Sequence, residues 1–103
     1  MLNELAKKAH ENAVSKGFWD TIKSGAECIA LMHSEVSEAL EAMRQGGGEC
    51  DKIPEIGAID EEMADVIIRV LDFCAANDID IDKAVRLKME YNEGRTHMHG
   101  KQF

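Results

Sequence analysis

The sequence predicts an all-α protein, and three observations support this class. Apolar residues recur every three or four positions in four separate stretches, which is the spacing of amphipathic helices. Proline occurs once and aromatic residues make up 5% of the chain, whereas β-sandwiches and barrels need frequent turns and many aromatic or β-branched residues. With 103 residues the chain has the length of one domain, which we expect to span residues 1–103.

The first two helices are indicated by their apolar stripes and by the glycines behind them. We expect the first helix over residues 2–16, because its leucines and alanines form one stripe and Gly17 follows. The second helix is expected to begin between Asp20 and Ser24 and to end at Arg44, just before three consecutive glycines.

The last two helices complete a predicted four-helix bundle. The third is expected over residues 58–76, after a loop that holds the only proline, and an Asn-Asp pair ends it. The fourth is expected over residues 81–93, with Asp80 as its N-cap and Gly94 as its C-cap. Residues 95–103 form a polar, irregular tail.

The second helix has two apolar faces. Its main apolar face comprises Ile22, Ala26, Ile29, Met32, Val36, Leu40 and Met43. On the other side, Glu35 and Glu38 lie in one row between Leu31 and Ala42. This helix therefore has two faces to bury.

The third helix is apolar over more than half of its circumference, which is typical of a largely buried helix. Its narrow polar sector holds Glu61, Glu62, Asp65, Arg69 and Asp72. If the pair Glu62 and Asp65 meets the pair Glu35 and Glu38, four carboxylates converge and a divalent cation would let them all stay ionised. Oxygen ligands favour Mg²⁺, with Mn²⁺ as a substitute. The alternative interpretation is that each acidic pair is a solvated helix face.

The fourth helix carries basic and amide side chains within its apolar arc. Lys88 and Asn92 flank Tyr91 there, and Arg95 and Lys101 follow on the tail. A lysine directed inward needs an anionic partner, although a buried stem with a solvated ammonium group is an equal alternative.

The charge balance excludes several partner classes. With 20 acidic and 12 basic residues, the net charge of −8 leaves no extended basic face for nucleic acid and no attraction to an anionic membrane. The charged N-terminal stretch lacks the apolar segment of a signal peptide, and the three cysteines form no CxxC pair. We therefore expect a cytoplasmic protein with reduced thiols.

Glu35-x-x-Glu38 followed by Glu62-x-x-Asp65 resembles the ExxE and ExxD signature of the MazG-like all-α NTP pyrophosphohydrolases. The segments HSEVSEALEAMR, EEMADVIIRVLDF and KMEYNEGRTHMHGKQF extend the likeness over nearly the whole chain. The resemblance implies Mg²⁺-dependent hydrolysis of a ribo- or deoxyribonucleoside triphosphate to monophosphate and pyrophosphate, in a house-cleaning role. It also implies a homodimer or homotetramer.

The resemblance further implies roles for individual residues. The four acids Glu35, Glu38, Glu62 and Asp65 would hold the metal, and Glu38 would orient or deprotonate the attacking water. Lys88, Asn92 and Arg95 would grip the phosphates, joined by Lys101. A base or sugar pocket would be lined by His10, Trp19 and Tyr91, although core packing is an equal explanation for His10 and Trp19.

Two rival functions remain beside this one. A ferritin-like di-metal bundle needs Glu-x-x-His motifs, and no glutamate here is followed three positions later by histidine. The second rival is a non-catalytic helical dimeric interaction module, in which the four acids are dispensable surface charge. The preferred base and sugar, the number of metal ions and the choice between dimer and tetramer stay open.

Overall fold

The structure is a computed structural model that describes residues 1–21 and 23–103. Four α-helices follow in chain order: α1 (Leu2–Ser15), α2 (Gly25–Arg44), α3 (Ala58–Ala76) and α4 (Ile81–Glu93). A short 3₁₀ turn at His97–Gly100 interrupts the polar tail. The predicted all-α class is confirmed. Ile22, one member of the predicted apolar face of the second helix, lies outside the described residues.

The third helix is the common support of the fold. Both α1 and α2 pack along α3, whereas the principal contacts of α4 are with α1. This arrangement follows from the apolar circumference of α3, which has enough surface for two neighbours and buries Leu71 and Cys74 between them. The molecule is therefore an open arrangement of helices around α3.

The helix ends are capped where the sequence places suitable side chains. Ser24 Oγ accepts a hydrogen bond from the Glu27 amide at 3.0 Å, and Asp80 Oδ1 accepts one from the Lys83 amide at 3.1 Å. Each bond satisfies an amide that the helix itself leaves without a partner. Asp80 therefore has the predicted N-cap role.

Polar bonds join the start of α4 to the start of α1. The Asp82 carboxylate accepts hydrogen bonds from the backbone amides of Leu2 and Asn3, at 2.8 and 3.0 Å. In return the Asn3 side chain donates to Asp80 at 2.9 Å. Hydrogen bonds with Asn3 are the main cause that lowers the pKa of both Asp80 and Asp82. The carboxylate of one helix thus caps the positive end of another.

The loop between α2 and α3 is held against the beginning of α3. Three successive glycines at 46–48 all adopt positive φ angles, a conformation that other residues rarely take, so α2 cannot continue through them. The Gly48 carbonyl then accepts a bond from the Ala58 amide at 2.7 Å. The buried Cys50 thiol donates to Glu61 Oε2 at 2.8 Å, which fastens the loop beside the acidic part of α3.

The orientation of α2 differs from the simplest expectation for an apolar face. The side with Glu35 and the buried Ala39 packs on α3, while the predicted main apolar face is left largely uncovered. On that face the exposed fractions are 42% for Ile29, 50% for Val36, 53% for Leu40 and 61% for Met43. A single copy of the chain thus buries only one of the two faces of α2. In the described residues, no helix has the length and apolarity needed to cross a membrane.

We predict that Leu71→Ala lowers the free energy of unfolding by about 2–5 kcal/mol, because it leaves a cavity at the centre of α3. The matched control is Leu87→Ala on α4, where the leucine is 45% exposed, and it should change stability by about 0.5 kcal/mol. Urea unfolding followed by circular dichroism at one protein concentration measures both. Equal effects of the two substitutions would contradict the central position of α3.

Candidate active site

Three carboxylates from two helices meet where α2 packs on α3. Oxygens of Glu35, Glu62 and Asp65 all lie within 4.8 Å of one another. Glu62 and Asp65 share one face of α3 because they are one helical turn apart, and Glu35 is on the side of α2 that faces them. The predicted convergence of the acidic pairs is therefore found for these three residues.

Glu38 lies beside this trio rather than within it. It is one turn further along α2, at the exposed edge of the cluster. A hydrogen bond with Glu35 and the negative charge of Glu35 raise the pKa of Glu38, and the charges of Glu62 and Asp65 add to the effect. Glu38 thus has access to water while it remains under the influence of the cluster.

Burial is the main cause of the raised pKa of Glu62 and of Asp65, and neighbouring carboxylates reinforce it. Glu62 Oε2 is buried and has no hydrogen-bond partner among the described residues. A buried oxygen without a hydrogen-bond donor is unfavourable unless a water donates to it or it coordinates a cation. A cluster made only of carboxylate oxygens suits a hard divalent ion such as Mg²⁺ or Mn²⁺, so the residues present fit the expected metal.

Arg69 is a member of the site to which the sequence pattern assigned no role. Its Nε donates to Glu35 Oε1 at 2.7 Å, and the two side chains are 31% and 12% exposed. Arg69 follows Asp65 by one turn of α3, so its place on the acidic face could be read from the spacing. Its partner on α2 could not, because the bond joins residues 34 positions apart.

An open groove of about 760 Å³ runs between α1 and the acidic side of α2, with α3 as its floor. Glu35, Glu38 and Asp65 line it, together with Phe18 and Lys23. Asp72, two helical turns beyond Asp65 on α3, also lines it. The same depression therefore contains both the carboxylates and an aromatic, cationic part, which gives it room for an elongated anionic ligand.

His10 and Trp19, predicted for a base or sugar pocket, are close together in the structure. Their rings meet edge to face with centroids 5.3 Å apart. Both rings also bond to Asp72, a residue that the sequence reading left without a role. The ammonium group of Lys23 lies 5.6 Å from the centroid of the Trp19 ring, within the range of a cation–π contact.

The predicted phosphate-binding residues form a separate group on α4 and the tail. Lys88 Nζ is 4.8 Å and Arg95 Cζ 5.4 Å from the centroid of the Tyr91 ring, and Arg95 donates to Asn92 at 3.4 Å. Lys88 is exposed and has no carboxylate partner among the described residues, which agrees with the alternative of a solvated ammonium group rather than with an inward lysine. Neither these residues nor the exposed Lys101 line the groove, because α4 packs on α1.

Comparison with known families gives one match. The family model described as the MazG nucleotide pyrophosphohydrolase domain matches residues 23–99. This span covers α2, α3 and α4, with the carboxylate cluster and with Lys88, Asn92 and Arg95, while α1 and Lys101 lie outside it. No curated protein and no solved structure gives a significant match.

The raised pKa values predict how stability depends on pH. A group whose pKa is raised in the folded state binds more protons when folded. The free energy of unfolding therefore falls as pH rises through the range between the unfolded and the folded pKa of that group. For Glu38, Glu62 and Asp65 the window lies above the ordinary carboxyl range of about 4. The metal-free protein should therefore melt at a higher temperature near pH 5.5 than near pH 7.5, if pH is varied at constant ionic strength.

The opposite sign applies to the capping carboxylates. Asp80 and Asp82 have lowered pKa values, so their stabilisation is complete above the ordinary carboxyl range and is lost as pH falls further. Melting temperature should accordingly decline again below about pH 4. Glu62→Gln should reduce the fall in melting temperature between pH 5.5 and 7.5 and leave the decline below about pH 4 unchanged, as followed by circular dichroism. An unchanged fall between pH 5.5 and 7.5 in that variant would contradict the raised pKa of Glu62.

Proposed function

Because the chain belongs to the MazG nucleotide pyrophosphohydrolase family, we propose that it hydrolyses ribo- or deoxyribonucleoside triphosphates to monophosphate and pyrophosphate. The observation that carries the proposal is the carboxylate cluster of Glu35, Glu62 and Asp65, with one buried oxygen that lacks a partner. Grouped carboxylates repel one another and raise one another's pKa, and a bound cation would offset that repulsion.

The metal ligands in this proposal are Glu35, Glu62 and Asp65, completed by Glu38. These carboxylates would hold Mg²⁺, or Mn²⁺ in its place, and the ion would supply positive charge to offset the negative charge that develops in the transition state. Arg69 holds Glu35 through its 2.7 Å bond and keeps that carboxylate directed at the cluster. The protein thereby fixes the ligand positions before the substrate arrives.

Glu38 is the proposed group that orients or deprotonates the attacking water. A hydrogen bond with Glu35 and the negative charge of Glu35 raise its pKa above the ordinary value, which makes the carboxylate a stronger base. Its exposed position leaves it in contact with solvent, from which the nucleophile comes.

The cationic group of Lys88, Asn92, Arg95 and Lys101 is proposed to bind the phosphates from a second copy of the chain. In one copy these residues are outside the groove, while the apolar face of α2 is uncovered. Covering that face in a homodimer or homotetramer would remove exposed apolar surface and could bring a cationic group to each groove. Tyr91 would then join His10 and Trp19 near the base or sugar.

The cellular setting is also a proposal. The free thiols of Cys28, Cys50 and Cys74 suit a reducing, cytoplasmic environment. The net charge of −8 disfavours a nucleic-acid partner. We place the activity in the cleansing of the nucleotide pool, by a single domain over residues 1–103.

One observation favours a second candidate function. The uncovered face of α2 would also serve a non-catalytic helical dimeric interaction module. In that case the carboxylates would be dispensable, so substitution of the acids separates the two functions.

We predict that Glu38→Gln and Asp65→Asn each lower Mg²⁺-dependent release of pyrophosphate about 100-fold or more, because each removes a charged group from the reaction centre. Pyrophosphate is measured over a panel of ordinary and modified nucleoside triphosphates. Glu90→Gln is the control, since Glu90 is exposed on α4, where its carboxylate pairs with Arg86. Wild-type rates in both active-site variants, with folding intact, would favour the interaction module.

We predict that the wild-type protein sediments at two or four times its chain mass of 11.4 kDa. Leu40→Glu should shift it toward the monomer, because a buried, unpaired charge at the interface is strongly unfavourable. Met89→Glu is the matched control on α4, where the methionine is 61% exposed against 53% for Leu40. An active wild-type monomer in sedimentation velocity runs would overturn the proposed assembly.

A further inference from the structure

The polar face of α3 extends beyond the carboxylate cluster. Glu62, Asp65, Arg69 and Asp72 follow one another at intervals of three or four residues, which places them in one stripe along the helix. The first three belong to the cluster or hold it. Asp72 is on the same stripe and lines the same groove, but it contacts α1 and the segment behind it.

Asp72 joins two rings that come from outside α3. Its Oδ1 is 2.7 Å from His10 Nδ1 and 3.0 Å from Trp19 Nε1, and its Oδ2 is 3.1 Å from the same indole nitrogen. The side chain is 18% exposed, so these bonds are partly shielded from water. An ionised carboxylate can only accept hydrogen bonds, and therefore both ring nitrogens must donate.

This donor pattern determines which nitrogen of His10 carries the proton in the neutral ring. When Nδ1 donates to Asp72, Nε2 is the acceptor nitrogen of that ring. The indole is fixed at the same time, since its N–H is held by both oxygens of Asp72. One carboxylate thus sets the tautomer of His10 and the plane of Trp19.

We propose that Asp72 is a positioning residue for nucleobase recognition, which fixes His10 Nε2 as an acceptor for an N–H group on the base edge and Trp19 as an aromatic contact. This inference rests on the proposed nucleotide hydrolysis. Seven residues of helix separate Asp65 from Asp72, a rise of roughly 10 Å. That distance is comparable to the span of a nucleotide with its phosphates at the carboxylates and its base beside Trp19. Trp19 borders a small depression that shares Lys23, Arg69 and Asp72 with the groove.

The two rings of the proposed base site come from the N-terminal part of the chain. His10 and Trp19 both precede residues 23–99, the span matched by the family model, whereas Asp72 falls inside that span. The stripe on α3 therefore connects the part of the site shared with the family to a part contributed by α1 and the turn after it.

The test compares Asp72→Asn with wild type and with Asp78→Asn, an exposed position at the end of α3 that has a φ of 54° and suits asparagine. Calorimetry measures the binding of adenosine, guanosine, cytidine and uridine monophosphates and of inorganic pyrophosphate. Trp19 is the only tryptophan, so its fluorescence reports directly on the site.

Asp72→Asn should lower the affinity for the tightest-binding monophosphate about tenfold, because one ring loses its hydrogen bond. It should also reduce the differences in affinity among the four monophosphates. Pyrophosphate affinity should change much less. The variant should also alter the Trp19 emission, and in turnover it should raise KM more than it lowers kcat. Asp78→Asn should match wild type in every measurement.

Two failures are distinguishable. A wild-type protein that turns over no nucleotide overturns the proposed function, on which this inference depends. A wild-type protein that turns over nucleotides while Asp72→Asn keeps its base preference and monophosphate affinity overturns the role of Asp72 alone. If Asp72→Asn does not fold, Trp19→Phe removes the same N–H donor, and unchanged monophosphate affinity in that variant also overturns it.

Discussion

Electrostatic repulsion among carboxylates is the constraint on which the rest of the structure depends. Glu35, Glu62 and Asp65 have oxygens within 4.8 Å of one another, and burial together with mutual repulsion raises the pKa of two of them. The fold tolerates this because Arg69 pairs with Glu35 and because the cluster opens onto a groove. An arrangement that is unfavourable for the empty protein is favourable for one that binds a cation.

The apolar character of α3 explains why the charges are concentrated. A helix that packs α1 on one side and α2 on another has only a narrow sector left for polar groups. Every polar side chain of that sector is then close to its neighbours along one stripe. The same property that stabilises the fold, burial of apolar surface around one helix, therefore aligns the polar groups that line the groove.

Helix limits and the meeting of the acidic pairs could be predicted from the sequence, because caps, glycines and periodicity are local signals. The side of α2 that faces α3 could not, since both sides are apolar and periodicity does not rank them. The hydrogen-bond partners of Arg69 and Asp72 could not be predicted from the sequence pattern either, because these bonds join residues 34 and 62 positions apart. The docking of α4 on α1 depends on backbone amides capped by Asp82, which have no side-chain signal.

The weak attachment of α4 has a consequence for the energetics of ligand capture. This helix has no buried residue, and it is joined to the rest largely through polar bonds at its first turn. Such an element can open locally at much lower free energy than the core helices, and its amides exchange with solvent sooner. If Lys88 and Arg95 bind the phosphates as proposed, local opening of α4 competes with ligand binding and lowers the observed affinity. Sequence changes in the first turn of α4 would then tune ligand affinity without touching the ligand.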